Sequence, residues 1–234
     1  MRSSRAVRGF TLVELLVALF AMALLAIMSW RGLDGISRAQ ASTQARADEV
    51  LTLQVGLAQW AADLDALAEV PRINALDWNG RVLRLTRHAS ASPADGVLVV
   101  GWTRRVVDGA GTWLRWQSPP LTTRAQWALQ WAKADIWSQN PGEEERRYEV
   151  AVTPLAEWQI YYFRENAWTN AQSSDAMTGA APPLQPASGA TPAAAPGTVL
   201  PDGVRLVLTL PAGQSISGTL TRDWVRPILG VRKS

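Results

Sequence analysis

The sequence predicts an α+β chain: one long N-terminal helix, its first half suited to a membrane, packed on an antiparallel β-sheet head. Three observations predict it. Residues 10–30 form an apolar run of 21 residues with a single charge, Glu14. From there to Leu67, apolar residues recur at helical spacing. Beyond Pro71 the pattern becomes short alternating runs divided by turn residues, which is the signature of strands.

The run from Phe10 to Trp30 is long enough to span a bilayer, since about 20 apolar helical residues cross the hydrocarbon core. Arg2, Arg5 and Arg8 precede it. By the positive-inside rule they stay cytoplasmic and the rest of the chain is translocated. Two plainer readings compete. One is an ordinary signal anchor. The other is a secretory signal cleaved near Ala21-Met22-Ala23, but that site lies inside the apolar run, and a carboxylate interrupts what should be the apolar core of the signal.

Glu14 is the anomaly. A charge near the middle of a membrane helix costs about 2.5–3.5 kcal/mol on insertion scales, so it calls for a partner. No cation follows it within the span. A cut between Gly9 and Phe10 would supply one: an α-ammonium on Phe10, four residues before Glu14, in the same or a neighbouring subunit. The plainer alternative is a carboxylate that snorkels or is protonated in lipid.

Residues 9–19, Gly-Phe-Thr-Leu-Val-Glu-Leu-Leu-Val-Ala-Leu, resemble the class III prepilin signal of type IV pilins and type II secretion pseudopilins. The resemblance implies that prepilin peptidase cleaves after Gly9 and N-methylates Phe10. It also implies that Glu14 recruits and registers the subunit in a growing filament. Residues 1–9 would then be a cleaved leader. Loss of its three arginines would bring the formal charge of +3 to zero.

Beyond Trp30 the helix is expected to continue. Leu33, Ile36, Gln40, Thr43, Ala47 and Val50 keep a three/four rhythm, and Leu53, Leu57, Trp60, Leu64 and Leu67 sharpen it into an amphipathic stripe. Pro71 marks the stop. A helix from Phe10 to about Ala68 would be roughly 88 Å long. Residues 10–40 are expected to face partner helices and Leu53–Leu67 the head. Residues 10–30 would be the transmembrane part, 31–68 a periplasmic continuation, and 69–234 the periplasmic head.

In the head, Arg81–Arg87, Val97–Val107, Thr112–Gln117, Tyr148–Val152, Glu157–Arg164, Val204–Leu210 and Ser215–Val225 read as strands. Asp108-Gly109 signals a hairpin turn between the second and third. Ala125–Lys133 reads equally as helix or strand. Ser173–Pro201, rich in Ala, Pro, Gly, Ser and Thr, reads as a loop.

Composition excludes several chemistries. The chain has no cysteine and one histidine, so disulfides, thiolate metal sites and cysteine nucleophiles are ruled out. His88 follows a strand with no accompanying catalytic motif and reads as a surface residue. Glu143-Glu144-Glu145 lacks the spacing of a calcium loop and reads as a solvated segment paired with Arg146 and Arg147. No basic face for nucleic acid is evident. The expectation is a non-enzymatic protein without cofactor or metal. Of the twelve tryptophans, most should be core. Part of the Trp113–Trp137 region is expected to be exposed and to contact another subunit.

The head order also resembles minor pseudopilin J of type II secretion. The resemblance rests on Leu-Arg-Leu-Thr-Arg at 83–87, Val-Leu-Val-Val-Gly-Trp at 97–102 and the aromatic strand 158–164 with Trp168. Leu-Pro-Asp-Gly-Val-Arg-Leu at 200–206 and a final hairpin complete it. Departures are the Ala/Pro-rich segment and the tryptophan count. Retention of Glu14 separates the chain from minor pseudopilin K, which typically lacks that residue. The resemblance implies an inner-membrane subunit that joins minor pseudopilins I and K, the major pseudopilin and the inner-membrane assembly platform, and ends at the pseudopilus tip. The alternative is a minor pilin of a type IV pilus serving adhesion, motility or DNA uptake.

Overall fold

The structure, a computed structural model, describes residues 11–173 and 200–227. The predicted leader and Phe10 lie outside the described residues, as does most of the predicted Ala/Pro-rich loop. The chain divides into two compact units, 1–48 and 49–234.

Helix α1, Leu12–Asp65, runs unbroken for 54 residues. It contains no proline, and Leu, Ala, Met, Gln and Arg dominate it, all good helix formers. Within the first unit every described side chain is exposed. This stretch is long and apolar enough to cross a membrane, so its exposed Leu, Val, Ile and Phe side chains suit lipid better than water.

The second unit begins with the last turns of α1. Leu53, Gly56, Trp60, Asp63 and Leu64 are its buried positions, on the stripe the sequence predicts. Its end comes slightly earlier than the expected Ala68, for a backbone reason. The Ala68 amide donates to the Thr86 carbonyl and the His88 amide donates to the Ala66 carbonyl, both at 2.9 Å. The chain therefore leaves the helix by pairing with a strand.

The head has two antiparallel sheets where the sequence suggests one. The first consists of β1 (Leu76–Trp78), β2 (Val82–His88), β3 (Val97–Val107), β4 (Ala110–Gln117) and β5 (Glu149–Pro154), in that order. The second comprises β6 (Glu157–Arg164), β7 (Ala167–Asn170), β8 (Gly203–Leu210) and β9 (Gly218–Val225), in the order β7-β6-β8-β9. The chain changes sheets just after Pro154. The Leu155 amide donates to Gly111 in the first sheet, and the next amide, Ala156, donates to Thr209 in the second, both at 2.8 Å. At the β3–β4 hairpin, Asp108 (φ 50°) and Gly109 (φ 82°) both take positive φ. That is the two-residue turn whose twist matches the strands.

Two helices follow β4: α2, Arg124–Gln139, and the short α3, Glu143–Arg146. The structure thus resolves the ambiguous 125–133 stretch as helix. A capping box starts α2: Thr123 Oγ1 accepts from the Gln126 amide, and the Gln126 side chain accepts from the Thr123 amide.

The first sheet is buried on both faces. On one side Leu53, Trp60 and Leu64 of α1 meet Leu83, Val100, Trp102 and Trp113, and the core continues into Ile160, Tyr162 and Leu206 of the second sheet. On the other side α2 lays Trp127, Trp131 and Trp137 against Val82, Val99, Leu114 and Trp116. This explains why 97–102 reads as a continuous apolar run: alternate residues serve different cores.

The two cores correct an expectation. Trp113, Trp116, Trp127, Trp131 and Trp137 are all buried, so none offers an exposed ring to another subunit. Their spacing turns every ring inward. Trp116 stacks on Trp137 at 6.1 Å between centroids, and Trp127 lies 5.1 Å from Trp131. Trp127 Nε1 also donates to Thr86 Oγ1 at 2.9 Å.

At Gly56, α1 lies close against Val152 of β5. A Cβ there would fall 2.2 Å from Val152 Cγ1 and 3.4 Å from the Trp113 ring. In a free helix Ala gains about 1 kcal/mol over Gly. Overpacking against a stiff β-branched neighbour costs about 1–3 kcal/mol. Gly56→Ala should therefore lower stability, and Val152→Ala in the same chain should restore it. Denaturation midpoints check both.

Candidate functional site

Two carboxylates on α1 carry the chemistry, one in each unit. Glu14 sits in the first turn. Its Oε2 accepts from the Thr11 amide at 3.0 Å and from Thr11 Oγ1 at 2.9 Å, while the Glu14 amide reaches back to Thr11 Oγ1 at 3.4 Å. With Leu12 as the first helical residue, Thr11 is the N-cap and Glu14 the third position. This is a capping box. It satisfies two amides that the helix start would otherwise leave unpaired.

The sequence carried that signal as Thr-x-x-Glu at 11–14, beside the intersubunit reading that the resemblance implied. The two roles are compatible. The box holds the carboxylate in the first turn of the helix. Gly9 and Phe10 lie outside the described residues.

Asp63 is the second carboxylate, and no sequence motif marks its role. It is wholly buried. Its Oδ1 accepts from Arg87 Nη1 at 2.7 Å, Arg115 Nη2 at 2.8 Å and Gln59 Nε2 at 2.9 Å. Its Oδ2 accepts from Arg115 Nε at 2.8 Å and Trp102 Nε1 at 2.9 Å. Five donors saturate the roughly four lone-pair positions of a carboxylate. Arg115 engages both oxygens as a fork, the geometry that makes such pairs strong. Apart from Gln59 on α1 itself, the donors come from β2, β3 and β4, so one side chain of α1 ties the end of the helix to three strands.

Further links tie the second half of α1, and the residues just after it, to the head. Asp65 Oδ1 accepts from Trp224 Nε1 of β9 at 2.8 Å. Glu49 Oε2 accepts from the amide and hydroxyl of Ser215, at 2.9 and 2.6 Å. Glu69 pairs with Arg226. On the second sheet Arg205 forks onto Asp223 with two bonds of 2.7 Å and stacks on Trp168 at 4.2 Å. The Arg205 hydrogen bond holds the Asp223 carboxyl below its usual range. The stability this pair adds is present above the ordinary aspartate pKa and fades as pH falls through the lowered one.

The remaining candidates behave as surface features. His88 is exposed at the end of β2. Glu143 and Glu144 are exposed at the start of α3, and Glu145 is half-buried. Glu144 pairs with Lys133 at 3.4 Å; among the described residues no ion pair joins this run to Arg146 or Arg147. No group of three or more His, Asp or Glu side chains among the described residues is placed to hold a metal.

Comparison with known families adds one finding. Residues 4–30 match the model of the prokaryotic N-terminal methylation motif. No curated protein matches the chain. The methylation motif, the long apolar helix compatible with a single-pass membrane anchor, and the antiparallel head behind it together support a type IV pilin-like protein.

Proposed function

We propose that this chain is a minor pseudopilin of a type II secretion system, similar to minor pseudopilin J. Its role would be in the tip complex that starts a periplasmic pseudopilus and so drives protein export across the outer membrane. The observation that carries the choice is the order of motifs in the head. Leu83–Arg87 lies on β2, Val97–Trp102 on β3, Trp158–Arg164 on β6 and Val204–Leu206 on β8. That order resembles minor pseudopilin J, and the absence of cysteine fits it better than a major type IV pilin.

In this reading the three leader arginines keep the N-terminus cytoplasmic. Prepilin peptidase cuts after Gly9 and methylates Phe10. Residues 10–30 hold the subunit in the inner membrane until assembly, where Glu14 pairs with an N-terminal ammonium. The head acts by recognition, with no catalytic group, cofactor or metal.

The test is mild-detergent co-purification of the tagged protein from its native membranes, with mass spectrometry of everything bound. Recovery of minor pseudopilins of the I and K types is the expected result. Recovery of type IV pilus subunits instead would move the function to adhesion, motility or DNA uptake.

A further inference from the structure

We propose that the outer face of α2 is a self-pairing surface, on which a second copy of this chain lays its own α2 antiparallel. Trp127, Trp131, Ala134 and Trp137 point into the core. On the opposite side Ala125, Leu129, Ala132 and Ile136 are all exposed. Leu129 and Ile136 expose 58% and 57% of their surface, high values for large apolar side chains. Their spacings of four, three and four residues place all four on one line of the helix. No charged residue interrupts that line, so it suits an apolar partner.

The pattern is complementary to itself. Facing an antiparallel copy, Ala125 meets Ile136 and Leu129 meets Ala132, and the two-fold axis repeats each contact. Large residues thus fall opposite small ones along the whole stripe. The charges agree with the same register. Asp135 and Arg124 lie on the same flank of the stripe. Arg124 of one copy comes within about 3 Å, along the helix axis, of Asp135 of the other. On the opposite flank Lys133 comes beside Gln126. Arg124 has no ion-pair partner among the described residues, whereas the neutral amides of Asn79 and Gln139 donate to Asp135.

Such a contact is small beside the roughly 20–30 residues a side of a stable interface. It therefore depends on the local concentration that membrane anchoring supplies. The proposal stands whichever secretion or pilus system the subunit serves.

The chain has no cysteine, so an engineered pair reports cleanly. Ala125→Cys/Ile136→Cys, in the full chain in native membranes under mild oxidation, should give a disulfide-linked dimer. Gln126→Cys, off the stripe, should give little. Adding Leu129→Lys should abolish the dimer. Adding Arg124→Glu should lower its yield roughly fivefold, and Asp135→Arg in that background should recover it. Asp135 is half-buried and holds Asn79, whereas the other altered side chains are exposed, and tryptophan fluorescence checks that the head is intact in every variant. A yield no greater than that of Gln126→Cys overturns the proposal. So does a covalent adduct with a different membrane protein in place of the dimer.

Discussion

Replacing Asp63 by alanine should destabilise the head by about 3–5 kcal/mol, the cost of stranding a buried charge partner. Here two are stranded. Arg87 and Arg115 are largely buried, with 21% and 13% of their side chains exposed, and Trp102 Nε1 would also lose its acceptor. The loss should exceed that of any pair on the second sheet, where Arg205 and Asp223 are more open to water. Asp63→Asn should be nearly as damaging, because an amide presents a donor to donors. A companion variant separates charge from packing. Asp63→Leu with Arg87→Met and Arg115→Met should recover much of the stability, since apolar replacement of a whole buried network is often neutral. Guanidinium midpoints of the full chain in detergent read all three. A change under about 1 kcal/mol in Asp63→Ala would show that water or relaxation supports the arginines instead.

Glu14→Ala should leave cleavage after Gly9 intact and reduce incorporation into a filament on the order of 100-fold. The figure follows from about 2.5–3.5 kcal/mol for an intramembrane charge and 1.4 kcal/mol per tenfold. The geometry separates the two roles of this residue. Glutamine serves a capping box as well as glutamate does, so Glu14→Gln keeps the cap and removes only the charge. It should fail as badly as alanine. Thr11→Ala removes the cap at a cost of about 1 kcal/mol and keeps the charge, so it should assemble with a mild defect. The reverse pattern would mean that Glu14 acts by starting the helix rather than by pairing with a neighbour. Filament incorporation, assayed by cross-linking in membranes, reads the difference.

What the sequence made legible follows from how each element satisfies its neighbours. Strands β3 and β6 match Val97–Val107 and Glu157–Arg164 in full, because apolar content and flanking turns agree there. Helix α1 was legible because its stripe from Leu53 to Leu67 stands against polar neighbours. Helix α2 reads equally as strand because both its faces are apolar, tryptophans inside and Ala125, Leu129, Ala132 and Ile136 outside, which hides the period. Strand β1 has three residues, too few to show alternation. Strand β7 follows a turn whose positive-φ residues are Glu165 and Asn166, so no glycine announced it. Asp63 was the least legible. A carboxylate on a helix reads as solvated, and its partners stand 24 and 52 residues away. Glu14 stood out because a charge inside an apolar run calls for a partner, but the capping role of its carboxylate was not read from the sequence.

Processing and anchoring as a pilin-like subunit would leave a chemical mark on the N-terminus of this chain. The most direct test is mass spectrometry of its N-terminal peptide after isolation from native membranes. The expected peptide begins at Phe10 with a methylated α-amino group. A peptide that begins at Met1, or one that begins beyond Ala23, would contradict this processing.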